Sequence, residues 1–258
     1  MADVLLLAKL VATPIIITLV YVIERRFGHA VAGLVFGFPL TSALATAFLA
    51  AEEGPLFARD TVPGMMAGIT TLGVFLLVFG HTASRRPSWP VALGAAFLAY
   101  VPTALLLGWL GLGFAASTLL AVAVLAVAVA GMPRRLGAVS ARPHGRWELP
   151  LRAAIGTTLV AVLTEAARDL GPVGTGLLLL FPAVTSTLAG FVLARAGPGA
   201  VVRMLRAMAW GCFSFVAFFV VVGAALGTMG TVTAFVLAGL AAVGASGVTW
   251  RLGVSRIP

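Results

Sequence analysis

GHAVAGLVFGFPLTSALATAFLAAEEGP, residues 28–55, recurs without a gap as GPVGTGLLLLFPAVTSTLAGFVLARAGP, residues 171–198. Each copy carries a Phe-Pro pair near its middle and ends in Gly-Pro. The match keeps one offset of 143 residues, and downstream of it the same offset pairs methionines, glycines and phenylalanines. Two dipeptides repeated at a single spacing indicate a duplicated segment. The sequence therefore predicts two related halves.

The composition is that of a protein whose solvent is lipid. Hydrophobic residues make up 61% of the 258, and charged residues only 10%. The mean hydropathy is +1.11. Such a chain has too little polar surface to cover a water-soluble globule. The formal charge of +9 is explained by basic cytoplasmic loops and does not require a nucleic-acid partner. We expect a protein of the bacterial type of inner membrane, with the lipid bilayer as its partner.

Nine segments are apolar enough to cross the bilayer as helices, which takes about 20 residues each. They lie near residues 4–23, 29–50, 62–81, 89–109, 112–131, 150–167, 171–194, 204–225 and 230–250. Glycine, proline and charged residues separate them. The predicted fold class is an all-α polytopic membrane protein of about nine transmembrane helices.

The basic residues support this count. With nine spans, 14 of the 17 fall on one side of the bilayer, and only Lys9, Arg59 and Arg168 fall on the other. Cytoplasmic loops carry an excess of Lys and Arg. The richer side is therefore predicted to be cytoplasmic, which places the N-terminus outside and the C-terminus inside.

The offset pairs the first four spans with the last four and leaves the fifth without a counterpart. Because five spans separate equivalent points, the second half is predicted to cross the bilayer upside down, giving 4+1+4 inverted repeats. The chain divides into a first repeat at 1–110, a linker helix with a basic loop at 111–149, and a second repeat at 150–258. Inverted repeats are common in secondary transporters, whose substrate sites lie near the midplane beside discontinuous helices.

The two Phe-Pro pairs are the predicted solute site. Pro39 and Pro182 fall near the middle of the second and seventh spans, where proline kinks or breaks a helix and frees a carbonyl. Hydroxyl side chains follow each proline and would form a polar patch there. The candidate residues are Phe38, Pro39, Thr41, Ser42, Phe181, Pro182, Thr185 and Ser186. The alternative is a simple proline kink whose hydroxyls bond back to their own helix.

Lys9 and Arg152 complete the predicted substrate-binding set. The offset pairs them, and each lies about a turn inside the first helix of its repeat. An ionisable group at that depth is a functional candidate, and a basic residue near each mouth would attract an anion. The alternative is that both side chains extend to the lipid headgroups.

The function predicted from these features is transport or export of a small solute, an anion being the form that two basic residues would attract. Alternating access would occur around the second and seventh helices. A passive channel along the pseudo-two-fold axis and a non-transporting accessory protein of envelope assembly are the alternatives. No catalytic motif, metal-ligand set or cofactor is predicted. Coupling to H⁺ or Na⁺ and the oligomeric state are left open. Removing the hydroxyls should impair flux far more than the same change at Thr70 and Thr71.

The run AGLVFGFPLTSALATAFLAAEEG at 32–54, followed by Gly68 in the third helix, resembles small four-helix inner-membrane proteins of the GlpM type. Each half resembles one such unit over about 80 residues. The second copy keeps only Gly176, Leu177, Phe181 and Pro182 of the core pattern. The resemblance implies a fused tandem of two units with an added helix, and it implies architecture more than activity.

Overall fold

The structure, a computed structural model, describes residues 25–133 and 171–253, together with 15, 18, 19, 21–23, 150, 154, 158 and 255. These residues are helical apart from short turns, and they form no extended strand. Five segments are long and apolar enough to cross a membrane: Pro55–Arg85, Trp89–Leu110, Phe114–Gly131, Pro172–Ala225 and Thr231–Leu252. The described part of the chain is all-α, and a helix satisfies its own backbone hydrogen bonds in lipid. Most of the first and sixth predicted spans lies outside the described residues.

Nine helices have bounds within the described residues, but they do not correspond one to one to the nine predicted spans. The helices are α1 His29–Phe36, α2 Leu40–Glu52, α3 Pro55–Asp60, α4 Val62–Arg85, α5 Trp89–Leu110, α6 Phe114–Gly131, α7 Gly171–Leu179, α8 Ala183–Ala225 and α9 Thr231–Leu252. The third, fourth, fifth and ninth predicted spans agree with α4, α5, α6 and α9 to within about one helical turn. The second span, 29–50, is divided between α1 and α2, and the seventh, 171–194, between α7 and α8.

Glycines with a positive φ mark two further boundaries. Gly54 has φ 93°, and Pro55 then begins α3. Gly197 has φ 83° inside α8 and is followed by Pro198, so that α8 consists of two helical parts, 183–196 and 198–225. Residues with a side chain rarely adopt such a φ, and proline is favoured in the first turn of a helix. A Gly-Pro pair thus ends one helix and starts the next in both halves.

The centre of the molecule is formed by α4 and α8, which pack against each other. Helix α1 lies against α8, and α7 lies against α4. Helix α5 packs on α4, α6 packs on both α4 and α8, and α9 packs on α8. Phe75, Phe79 and Phe219 are among the largest fully buried side chains of this core.

The outer helices present large apolar side chains away from the core. Leu98 and Trp109 on α5 are 78% and 82% exposed, and Val232 on α9 is 78% exposed. A protein surrounded by water buries such groups or covers them with a partner. Together with the length and apolar character of these helices, this exposure fits a surface that faces lipid acyl chains.

Candidate solute-binding site at the two helix breaks

The chain leaves helical geometry at both Phe-Pro pairs. We call residues 37–39, between α1 and α2, the first break, and residues 180–182, between α7 and α8, the second break. Pro39 has φ −75° and ψ 40°. Pro182 has φ −76° and ψ 44°. Proline has no N–H to give and clashes with the preceding turn, so each helix ends and a new one begins. The two breaks share one backbone conformation.

Two of their local hydrogen bonds are also equivalent, whereas the bond from the Ala183 N–H to the Phe181 carbonyl over 2.8 Å belongs to the second break alone. At the first break the Phe38 N–H donates to the Val35 carbonyl over 3.1 Å, and at the second the Phe181 N–H donates to the Leu178 carbonyl over 3.0 Å. After each proline the new helix starts with a bond to the proline carbonyl, 2.8 Å long in both cases. Neither proline carries a side-chain cap. The first N–H groups of α2 and of α8 therefore receive no hydrogen-bond acceptor from a capping side chain.

Glycines bring each short helix against the opposite half. A Cβ on Gly33 of α1 would clash with the carbonyl of Met204 and would lie 3.2 Å from the Met208 nitrogen. A Cβ on Gly176 of α7 would clash with the carbonyl of Thr61 and would lie 2.8 Å from the Met65 nitrogen. Each contact residue of the first set lies 143 positions from its counterpart in the second.

The breaks themselves also pack against the opposite half. Gly37 of the first break is so close to Gly211 of α8 that a Cβ on it would lie 2.6 Å from the Gly211 Cα. At the second break, Leu180 contacts Gly68 of α4, where an added Cβ would lie 2.8 Å from the Leu180 Cβ. Each break therefore packs against a glycine of the central helix of the other half.

The four predicted hydroxyl residues differ in their bonding. Ser42 is 2% exposed, and its Oγ has no hydrogen-bond partner. Thr185, at the equivalent position, donates weakly to the Met208 sulfur over 3.8 Å. Ser186 donates to the Ala183 carbonyl of its own helix over 2.9 Å. Thr41 lies in α2, but its side chain is outside the described part. Ser186 thus follows the back-bonding alternative, while Ser42 does not.

An aromatic cluster surrounds the second break. Phe181 stacks on Phe97 at a centroid distance of 5.6 Å, and it meets the edge of Tyr100 at 5.4 Å. Phe75 contacts Phe97 at 5.2 Å and Tyr100 at 6.4 Å. These distances and tilted geometries are those of favourable ring pairs. We call Phe75, Phe97, Tyr100 and Phe181 the aromatic cluster. It joins α4, α5 and the second break.

The first break is lined differently. Phe38 is half-buried against the hydrophobic core. The single hydroxyl proton of Ser214 on α8 is shared between the Gly211 carbonyl of its own helix, at 2.6 Å, and the Gly37 carbonyl, at 3.3 Å. The carbonyl that this break leaves outside the helical pattern is thus paired by a side chain of the other half.

Sequence reasoning missed Tyr100 and Thr71. Tyr100 is 3% exposed, and its hydroxyl has no hydrogen-bond partner. The Thr71 hydroxyl is close enough to interact with it, but the pair does not reach hydrogen-bond geometry, and Thr71 donates to the Gly68 carbonyl over 2.8 Å. Tyr100 is one of only two tyrosines and lies near the middle of an apolar span. A polar side chain near the middle of a membrane span was the signal in the sequence that could have identified Tyr100. Because Thr71 borders the site, its substitution is not a suitable control for the flux measurement, although the sequence suggested it as one.

Arg206, counted from the sequence as a cytoplasmic arginine, is buried at 8% exposure. Its Nη2 donates to the carbonyls of Met132 and, over 2.8 Å, of Pro133. These carbonyls follow the last turn of α6, where a helix has unpaired acceptors. Arg206 therefore caps α6 and fastens it to α8. Lys9 and Arg152 lie outside the described residues.

Acidic side chains are absent from the centre. Glu52, Glu53 and Asp60 are the acids within residues 25–133 and 171–253, and all three precede α4. In the part of the chain that the structure covers, no three His, Cys, Asp or Glu residues are grouped closely enough to hold a metal ion. The polar groups at the breaks are hydroxyls and backbone amides, which can donate hydrogen bonds, and backbone carbonyls, which can accept them.

Comparison with known proteins adds no further constraint. No family model matches the chain, and the searches of curated proteins and of solved structures found no match. A functional assignment therefore rests on the two breaks and the residues around them.

Proposed function

We propose that the protein is a membrane transporter or exporter of a small solute, which binds between the two breaks and reaches either side as one half moves against the other. The observation that carries the proposal is the pair of equivalent breaks, each packed on the opposite half. Transporters with inverted repeats place discontinuous helices at the midplane in this manner, because broken backbone offers polar groups at a depth where lipid offers none.

The proposal includes nine spans in a 4+1+4 arrangement, with the second repeat inverted. Equal dihedral angles at Pro39 and Pro182 and the exchanged contacts at one offset support a duplication. The arrangement of α5 on α4 and of α9 on α8 supports it further. In this proposal α6 is the helix without a counterpart.

We place the N-terminus outside and the C-terminus in the cytoplasm of a bacterial-type inner membrane. Arg85 and Arg86 are exposed at the end of α4, on the proposed inner side. Glu52 and Glu53 are exposed at the end of α2, on the proposed outer side. This separation of charge follows the positive-inside rule.

Reconstitution into proteoliposomes tests the proposal. The proteoliposomes would be loaded with chloride, nitrate, acetate, glycerol or urea in turn, and flux would be measured with and without a proton or sodium gradient. Gradient-driven accumulation is the expected result for a coupled carrier. Flux that only follows the concentration gradient would favour a passive channel instead. The absence of flux for every probe would contradict transport of these solute classes and favour an accessory role in envelope assembly.

Two substitutions locate the site. Ser42→Ala and Thr185→Val remove equivalent hydroxyls at the two breaks, and each is expected to lower flux by roughly 5- to 100-fold, since one lost solute hydrogen bond costs about 1–3 kcal/mol. Thr103→Val is the matched control, because Thr103 donates to the Ala99 carbonyl of its own helix over 2.8 Å. Wild-type flux in both break variants would leave the prolines as packing features only.

A further inference from the structure

Two buried hydroxyls of the described residues have no hydrogen-bond partner, Ser42 Oγ and Tyr100 Oη. Their residues are 2% and 3% exposed. A buried hydroxyl left unpaired costs about 1–3 kcal/mol, so buried polar groups are nearly always satisfied, and each exception needs an explanation. These two hydroxyls lie beside the two breaks, one at each.

Ser42 is the third residue of α2, directly after the first break. Side chains on a helix lean toward its N-terminus. The Ser42 hydroxyl is therefore directed toward the turn where the first N–H groups of α2 have no carbonyl to bond. The amides and the hydroxyl together offer several donors and a positive helix end to one bound group.

Tyr100 occupies the corresponding place at the second break. Its ring is the one member of the aromatic cluster with a polar atom, and it meets Phe181 at 5.4 Å and Phe97 at 6.2 Å. Replacing it by phenylalanine would preserve these ring contacts and remove an unsatisfied group. The chain instead has a hydroxyl there, beside Thr71. Thr71 does not reach hydrogen-bond geometry with this hydroxyl, and a solute passing the break would supply a better-placed acceptor.

The charges around the breaks indicate the kind of solute. Helices α4 to α9 carry no acidic side chain over 62–131 and 171–252. A cation entering this region would find no carboxylate to replace its water. The positive ends of α2 and α8 lie at the breaks, and they favour an anion there.

We propose that Tyr100 is a solute-contacting and specificity-determining residue, which donates through its hydroxyl from the second break while Ser42 donates from the first, and that the solute is a small anion. The inference rests on the proposed function, because it assigns the chemistry of the same breaks. It differs from the sequence-based prediction in naming a residue of α5 and in assigning the anion to hydroxyl and amide donors.

The inference is tested by measuring anion binding separately from flux. The purified wild-type protein would be unfolded thermally in a gluconate buffer with increasing chloride, nitrate or acetate. An anion that binds the folded state raises the transition temperature, and it does so at lower concentration the tighter it binds. Tyr100→Phe is expected to weaken the apparent affinity by roughly 5- to 100-fold for the anion that binds best, and Ser42→Ala by a similar factor. Thr103→Val, one turn from Tyr100 on α5, is expected to leave it unchanged.

The outcomes separate the two proposals. If Tyr100→Phe raises the transition temperature without anion and leaves the anion dependence at the wild-type value, the hydroxyl is only an unsatisfied group and the inference is wrong. If none of the three anions stabilises the wild type, the assignment of an anion is wrong. If the anion stabilises the wild type and both variants lose this effect, but wild-type proteoliposomes carry no flux, the inference holds and the transport proposal fails. Should Tyr100→Phe not fold, Ser42→Ala decides the result by the same assay.

Discussion

At the first break, the Ser214 side chain of the other half donates to the Gly37 carbonyl. At the second break, its counterpart Thr71 donates to the Gly68 carbonyl of its own helix, and the aromatic cluster packs against Phe181. The backbone at Pro39 and Pro182 is nevertheless the same to within a few degrees. One backbone break can thus be kept while the side chains around it diverge. Proline and glycine determine the break, and the side chains around it determine what it can bind.

The largest expected effect comes from the glycines that the halves share. Gly33→Ala and Gly176→Ala each place a methyl group against the backbone of the opposite half. Because backbone cannot move aside as a side chain can, each change should lower the free energy of unfolding by about 3 kcal/mol. Thermal unfolding in detergent measures the loss. Gly94→Ala is the control, since a Cβ there meets nothing within 4 Å.

If Gly33→Ala and Gly176→Ala lower the free energy of unfolding equally, the two packing positions are equivalent, as the comparison of the two breaks assumes. A variant that unfolds at the wild-type temperature would show that α1 or α7 does not pack so closely on the opposite half. The equivalence of the halves would then be limited to the breaks.

Arg206 should give the next largest effect. Arg206→Gln removes the donor to the carbonyls that end α6, and leaving these buried acceptors unpaired should cost about 2 kcal/mol. The equivalent position in the first half is Pro63, which has no such donor. Arg203→Gln on the same helix is the matched control. Equal melting temperatures of the two variants would contradict the capping role and remove this difference between the halves.

The smallest effect concerns the crossing hydrogen bond. Ser214→Ala should lower stability by about 0.6 kcal/mol, the average for a hydrogen bond between membrane helices. Thr71→Val should change stability by less, since it loses a bond only within α4. The same melting assay compares them. A larger loss for Thr71→Val would show that Thr71, and not Ser214, is the residue that ties its break to the opposite half.

The helix boundaries were predictable where a glycine or a proline marks them. Gly111 ends α5 with φ 53°, and Pro39 and Pro182 divide their spans as expected from the missing N–H and the ring clash. The contacts of Tyr100 with Phe181 and of Arg206 with α6 were not, since they join residues far apart in sequence and no spacing rule encodes them. The sequence indicates Gly197 only as a loop signal, although the two helical parts of α8 meet there with no loop between them.

The placement of α1 on α8 also determines the order in which the protein can be completed. The groove that accepts Gly33 is formed by residues around Met204 and Met208, which leave the ribosome long after α1 has entered the membrane. Until then the small-residue face of α1 has only lipid or the insertion machinery to contact. A chain stopped before α8 would therefore lack the surface that covers α1, and quality-control proteases that act on unpacked membrane helices would have their substrate in this segment.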